Sequence, residues 1–179
     1  MPLNTSIIKE IIILIMGPVF QVLAYFILLK IMPDQIESIK LYHYSILIFN
    51  LLPVYPLDGG KLVNLFFSLK FSFKNSFYLE ILISYLMVFL LVIVNRENIN
   101  INLLIIVIFL LYKITKEYKQ IELFYNKFLL ERYINKYNFK HSIIINNINK
   151  FHRNKRHLLK TSNKYYLEAE ILKKIYKNR

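Results

Sequence analysis

The chain has 179 residues, of which 56% are hydrophobic, and a formal net charge of +13. Its mean hydropathy of +0.39 is too high for an ordinary soluble domain and is typical of a small membrane protein with a polar segment. The absence of cysteine excludes disulfides, thiolate metal sites and a cysteine nucleophile.

The first predicted element is an apolar run from Ile7 to Met32. A helix rises about 1.5 Å per residue and about 20 residues cross the hydrocarbon core, so this run predicts one spanning helix. Its interior contains Gly17-Pro18 and Gln21. Pro18 is expected to kink the helix, and Gly17 is expected to let a neighbouring element approach closely.

A polar loop over residues 33–40 leads to a second apolar segment, which is interrupted at residues 49–60. This interruption, FNLLPVYPLDGG, is called the aspartate motif below. It places two prolines, two glycines, an asparagine and a carboxylate in an apolar environment. Because proline breaks the backbone ladder, and because the part before Pro53 is too short to span alone, the sequence predicts a broken helix whose irregular backbone is buried in protein or faces water.

The carboxylate of Asp58 has two interpretations. An ionised carboxylate at membrane depth is costly and is by default functional, and broken membrane helices are favoured ion sites. The alternative, about equally weighted on composition, is a polar loop in which Pro53-x-x-Pro56 and Asp58-Gly59-Gly60 only make turns. Gly59 and Gly60 are expected to adopt turn conformations that other residues cannot.

Two further apolar runs, residues 77–94 and 99–112, are joined by a tight polar loop. Long uncharged runs favour helices over barrel strands, which would alternate with polar residues. The predicted fold is therefore all-α. It is a polytopic helical membrane bundle with about four membrane segments over residues 1–112, one of them broken at the aspartate motif, followed by a basic, mostly helical tail over residues 113–179.

Most of the positive charge lies in the tail. The N-terminus, the loop over residues 70–76 and the tail share one side of the predicted bundle, so the positive-inside rule predicts a multi-pass protein of the cell membrane with a cytoplasmic tail. No nucleic-acid motif accompanies the charge, and we expect no nucleic-acid partner. Apolar spacing over residues 124–133 predicts an amphipathic helix, Asn146 to Asn149 a break, and residues 165–176 a second helix.

The pattern Asn50-x-x-Pro53-x-x-x-x-Asp58-Gly59 resembles the second signature of the site-2 protease family, the intramembrane zinc metalloproteases. The second glycine and the basic residue after it fit that signature as well. In the family this motif supplies the third zinc ligand, an aspartate. The resemblance therefore implies that Asp58 binds Zn²⁺.

Two weaker matches extend the resemblance to most of residues 7–135. Gly17-Pro18 resembles the Gly-Pro of the family helix that precedes the aspartate motif, although Gln21 stands where the family often has asparagine. In the tail, the FLLERY segment at residues 128–133 resembles the region after the last membrane helix in the sporulation branch of the family. That branch cleaves a membrane-tethered precursor of a sporulation sigma factor.

The resemblance implies roles for the other motif residues. Asn50 would orient the substrate or hold the oxyanion, with helix capping as an equally weighted alternative. Pro53 and Pro56 would shape the break and leave an edge for an extended substrate. The implied partners are the membrane and a membrane-associated protein substrate.

The sequence departs from the family at its front. Family members carry an HExxH helix ahead of the Gly-Pro helix, and this sequence contains no HExxH. Two of three zinc ligands and the glutamate base are therefore missing, and His43 alone does not replace them. We expect a truncated copy, a frame-shifted product, or an enzyme completed by another polypeptide that carries HExxH.

Three functions follow from these observations, in order of preference. The first is a site-2-type intramembrane metalloprotease that is inactive alone. The second is a non-catalytic pseudoprotease that binds and retains a membrane partner. The third is a small channel or transporter subunit that uses Asp58 as a proton or cation site.

Overall fold

A computed structural model describes residues 3–98, 100–135, 137, 139, 141–161 and 164–177. The helices are α1 (Ile7–Ile31), α2 (Ile36–Leu51), α3 (Asp58–Lys70), α4 (Phe73–Val94), α5 (Ile101–Ile134) and α6 (Glu168–Lys177). The strands are β1 (Ser142–Ile145), β2 (Arg156–Thr161) and β3 (Lys164–Leu167). Ile99, where the fourth apolar run was predicted to begin, lies outside the described residues.

Two helices in the described part of the chain, α1 and α4, are long and apolar enough to cross a membrane. The α2 helix has only 16 residues, and α5 joins an apolar first half to a charged second half. Large apolar side chains are exposed along α1, α2 and the start of α5. Such a surface is unfavourable in water and suits a membrane.

The α4 helix is central to the helical part of the molecule. It packs against α3 and α5, while α1 packs against α2 and α3. Burial of apolar area between α4, α5 and the aspartate motif forms one core, made of Val54, Ile81, Val88, Leu110, Ile114 and Ile121. This core holds the irregular part of the aspartate motif against α4 and α5.

The tail contains a three-stranded sheet, so the prediction of an all-α chain is wrong in this region. Strand β1 pairs with β2 in parallel, and β2 pairs with β3 in antiparallel. The predicted second helix, residues 165–176, begins only at Glu168, because residues 164–167 form β3. The strands have four to six residues, a length at which apolar periodicity does not separate strand from helix.

The tail packs against the helical bundle and shares a hydrophobic core with it. Its core consists of Phe73, Tyr125, Phe128, Leu129, Ile145, Phe151 and Leu172. Phe73 comes from the first turn of α4, and its backbone N–H donates to the carbonyl of Phe151 at 2.8 Å. The boundary placed at residue 112 falls inside α5, which continues without interruption into the tail.

Candidate functional site at the aspartate motif

The aspartate motif separates α2 from α3. Helix α2 ends at Leu51, α3 begins at Asp58, and the connection turns inward so that Val54 is 1% exposed. The N–H of Tyr55 donates to Oγ of Ser84 in α4 at 2.9 Å. Side-chain and tertiary partners thus replace the helical bonds that the prolines remove.

Gly59 and Gly60 are required by close packing. Neither has a positive φ, so the expectation that they adopt special turn conformations is wrong. A Cβ on Gly59 would collide with the carbonyl oxygens of Leu51 and Leu52, and a Cβ on Gly60 would lie 2.6 Å from the backbone of Tyr55. The first turn of α3 therefore lies directly on the chain that precedes it.

Asp58 is the first residue of α3, where the positive end of the helix dipole stabilises a carboxylate. Its side chain is 33% exposed and accepts a salt bridge from Nζ of Lys61 at 3.2 Å. A Cβ added to Gly17 would lie 3.8 Å from Oδ2 of Asp58. The structure thus brings together the Gly-Pro helix and the aspartate, two features that the sequence analysis had paired only by resemblance.

The remaining motif residues surround this junction. Asn50 is half-buried in the last turn of α2. The N-cap position of α3 is occupied by Leu57, whose side chain makes no capping bond. Pro53 and Pro56 are half-buried in the connection, and Pro18 lies inside a continuous α1.

The described residues do not by themselves fit a catalytic zinc site. They include no group of three His, Cys, Asp or Glu residues that could hold a metal ion. His43 is buried in α2, where its ring stacks on Tyr25 at 4.3 Å between centroids. Nε2 of Gln21 in α1 donates to the carbonyl of His43 in α2 at 3.1 Å, which adds a second contact between these two helices. A catalytic zinc needs three protein ligands, and Asp58 could supply only one of them.

A cavity of about 340 Å³ lies beside the motif, between α1, α3, α4 and α5. Its lining includes Tyr55, Asn64, Glu80 and Glu117. Glu80 is 2% exposed and accepts a hydrogen bond from Nδ2 of Asn64 at 2.7 Å; Glu117 is 6% exposed and is hydrogen-bonded by Tyr55. Neither glutamate was predicted as a site residue. Glu80 lies inside the apolar run 77–94, where a carboxylate is a signal for a functional group.

A second polar cluster connects the tail to the N-terminus. Arg132 of α5 is 5% exposed, and its guanidinium donates to groups from three separate parts of the chain. The acceptors are Oδ1 of Asn4 at 2.8 Å, Oε1 of Glu168 at 2.7 Å and the carbonyls of His152, Arg153 and Lys155 at 2.7, 2.5 and 3.0 Å. Arg132 belongs to the FLLERY segment, and its packing role was not predicted.

Two histidines of this cluster are held neutral. Nε2 of His157 accepts the N–H of His152 at 2.8 Å, so Nδ1 carries the proton and donates to Glu168 at 3.0 Å. Burial lowers the pKa of the His157 imidazole and, together with the charge of Lys155, lowers the pKa of His152 to about 4. Burial opposes ionisation of Glu168, but its bonds from His157 and Arg132 outweigh that effect and lower the pKa of the carboxyl.

Fold and site together define a mostly helical protein with apolar, membrane-compatible helices and a carboxylate at the break of one segment. A search with protein-family models gives no match. The chain is 36% identical over 102 residues to Stage IV sporulation protein FB of Bacillus subtilis (strain 168), a match that covers 56% of this chain. The chain spans about a third of the length of that relative (35%). The match supports, over part of the chain, the resemblance to the site-2 protease family.

Proposed function

We propose that this chain contributes the aspartate half of a site-2-type intramembrane zinc metalloprotease. The observation that carries the proposal is the position of Asp58. Its carboxylate lies at the break of an apolar segment, at a helix N-terminus, in contact range of the Gly-Pro helix. The partial identity to Stage IV sporulation protein FB supports the same family. The resemblance to the sporulation branch makes a membrane-tethered sigma-factor precursor the substrate that we propose.

Under this proposal, residues outside the given sequence supply the HExxH ligands and the glutamate base. When bound, zinc would polarise the scissile carbonyl and lower the pKa of a water molecule. Asp58 would leave its salt bridge with Lys61 to become one ligand. Asn50, half-buried in the last turn of α2 just before the break, would hold the substrate amide or the developing oxyanion.

The test measures zinc and proteolysis together. The full chain would be purified from its native membrane in mild detergent with the polypeptides that bind it, as wild type and as Asp58→Ala. We expect zinc in the wild-type preparation, its loss in the variant, and cleavage of a membrane-tethered substrate only where zinc is present. Glu97→Gln, which changes an exposed carboxylate in a distant loop, serves as the control.

Equal and negligible zinc in both preparations would overturn the proposal. It would favour the second candidate, a non-catalytic protein that binds a membrane partner. The observation that favours this candidate is the salt bridge itself, because Lys61 already satisfies the charge of Asp58 at 3.2 Å without a metal.

We further propose that the chain crosses the membrane several times with its tail in the cytoplasm. The absence of cysteine makes the test direct. A membrane-impermeant thiol reagent applied to intact cells is expected to label Glu97→Cys and not Lys127→Cys, since both positions are exposed but lie at opposite ends of the apolar helices. Equal labelling of the two variants would contradict this topology.

A further inference from the structure

The cavity beside the aspartate motif has the size and lining of a binding pocket. Its volume of about 340 Å³ lies within the range of about 300–1,000 Å³ typical of ligand sites. The walls are mainly apolar, with Ile13, Leu14 and Leu65 on one side and the aromatic ring of Phe77 on another. A few polar groups converge on this apolar space, as is usual where a ligand is oriented.

The charges of the cavity are not balanced. Two cations, Lys61 and Arg153, also line the cavity, but each is already paired: Arg153 bonds Glu10 at 2.5 Å, and Lys61 bonds Asp58 at 3.2 Å. Glu80 and Glu117 have no ion-pair partner within the described ranges, and their hydrogen-bond donors are the neutral Asn64 and Tyr55.

This imbalance has an energetic consequence. A buried carboxylate without a cation is costly, so a ligand that brings a positive charge between Glu80 and Glu117 would be stabilised by both. Phe77 also lines the cavity and packs against Phe73 with 4.9 Å between the ring centroids.

The geometry points to a pocket for the side chain of a lysine or arginine in a membrane-associated peptide. The alkyl stem of such a residue would lie against Ile13, Leu14 and Leu65, and its charged end would reach Glu80 and Glu117. The peptide part of this inference rests on the proposed function. It assigns to the substrate or partner a preference for a basic residue that binds in the cavity beside the aspartate motif.

The test compares two ligands on the same protein. The full chain in phosphatidylcholine nanodiscs, with EDTA present, would be titrated with a short apolar peptide carrying one central lysine and a fluorophore. The same peptide with norleucine replacing lysine removes the charge and keeps the stem. We expect fluorescence anisotropy to show about tenfold tighter binding of the lysine peptide, as for close desolvated charge pairs.

The isosteric variants locate the effect. Glu80→Gln and Glu117→Gln are each expected to reduce the lysine preference to about twofold or less, whereas Glu97→Gln is expected to leave it unchanged. Equal affinity of wild type for the lysine and norleucine peptides would overturn the inference, whether or not the variants fold. A lysine preference that survives in the double glutamate variant would place the cation elsewhere and also overturn it.

The experiment separates this inference from the zinc proposal. Because EDTA is present and no cleavage is measured, the peptide preference does not depend on a metal. Asp58→Asn is expected to keep the preference, since Glu80 and Glu117 rather than Asp58 line the cavity. Zinc binding without a lysine preference would overturn only the pocket, and the reverse result would overturn only the metalloprotease.

Discussion

The aspartate motif and the Arg132 cluster hold the chain together by opposite means. At the motif, backbone approaches backbone where glycines remove the side chains, and the two buried glutamates have only neutral partners. At the cluster, one buried guanidinium binds a carboxylate, an amide and three carbonyls. Close packing therefore fixes the apolar region, whereas charged hydrogen bonds fix the polar region.

The most direct way to break the shape-determined region is Gly60→Ala. The new Cβ would lie 2.6 Å from the backbone nitrogen of Tyr55 and 2.6 Å from the carbonyl carbon of Val54, which cannot move without displacing the connection. We expect a loss of about 3 kcal/mol or more in the free energy of unfolding, measured by thermal or denaturant unfolding in detergent.

Gly17→Ala is the matched control for that substitution. Its Cβ would meet only Oδ2 of Asp58 at 3.8 Å, an ordinary contact, and alanine is the better helix former. We expect stability to stay constant or to rise by up to about 1 kcal/mol. Equal losses in the two variants would show that close backbone packing does not distinguish these glycines.

Arg132→Lys breaks the charge-determined region. Lysine keeps the charge but cannot reproduce the planar fork of donors, so several acceptors lose their partner. We expect a loss of about 2 kcal/mol and faster proteolysis of the tail. Arg96→Lys is the control, because the pair of Arg96 with Glu97 is exposed and is expected to contribute little.

Lowering the pH tests the contribution of the Arg132 cluster to stability without a mutation. His152 and His157 have lowered pKa values in the folded chain, so the unfolded chain binds protons first as the pH falls. Stability is therefore complete above pH about 6.5, the unfolded pKa, and decreases as the pH falls toward about 4, where His152 protonates in the folded state. The lowered pKa of Glu168 acts in the same direction at still lower pH.

Unfolding midpoints measured from pH 7 to pH 5 test this dependence. His152→Gln is expected to make the decrease shallower, while His141→Gln, at an exposed position, is expected to leave it unchanged. A midpoint that is constant or rises on acidification would contradict the assignment of neutral histidines.

The smallest expected effect is that of Lys61→Met. The Asp58 and Lys61 side chains are 33% and 48% exposed, so water screens their salt bridge. We expect a change of less than about 1 kcal/mol in unfolding free energy. A larger loss would mean that the salt bridge, rather than backbone packing, holds the start of α3 in place.

The sequence predicted what depends on local pattern. The apolar runs and the break at the aspartate motif follow from hydrophobic length, prolines and glycines. The sheet could not be predicted, because its short strands depend on a core formed with residues distant in sequence. In that core Phe151 and Leu172 pack with Phe73 of α4. The bonds of Arg132 to Asn4 and to Glu168 join residues far apart in the chain, and no local spacing signals them.

The uninterrupted course of α5 has a mechanical consequence. Its 34 residues make a rod of about 50 Å that starts among apolar helices and ends at Arg132 and the sheet. A tilt of about 10° at one end would move the other by about 9 Å over that length. A partner that binds the Arg132 end of α5 and tilts the helix would therefore displace the apolar part of α5 that packs against Val54.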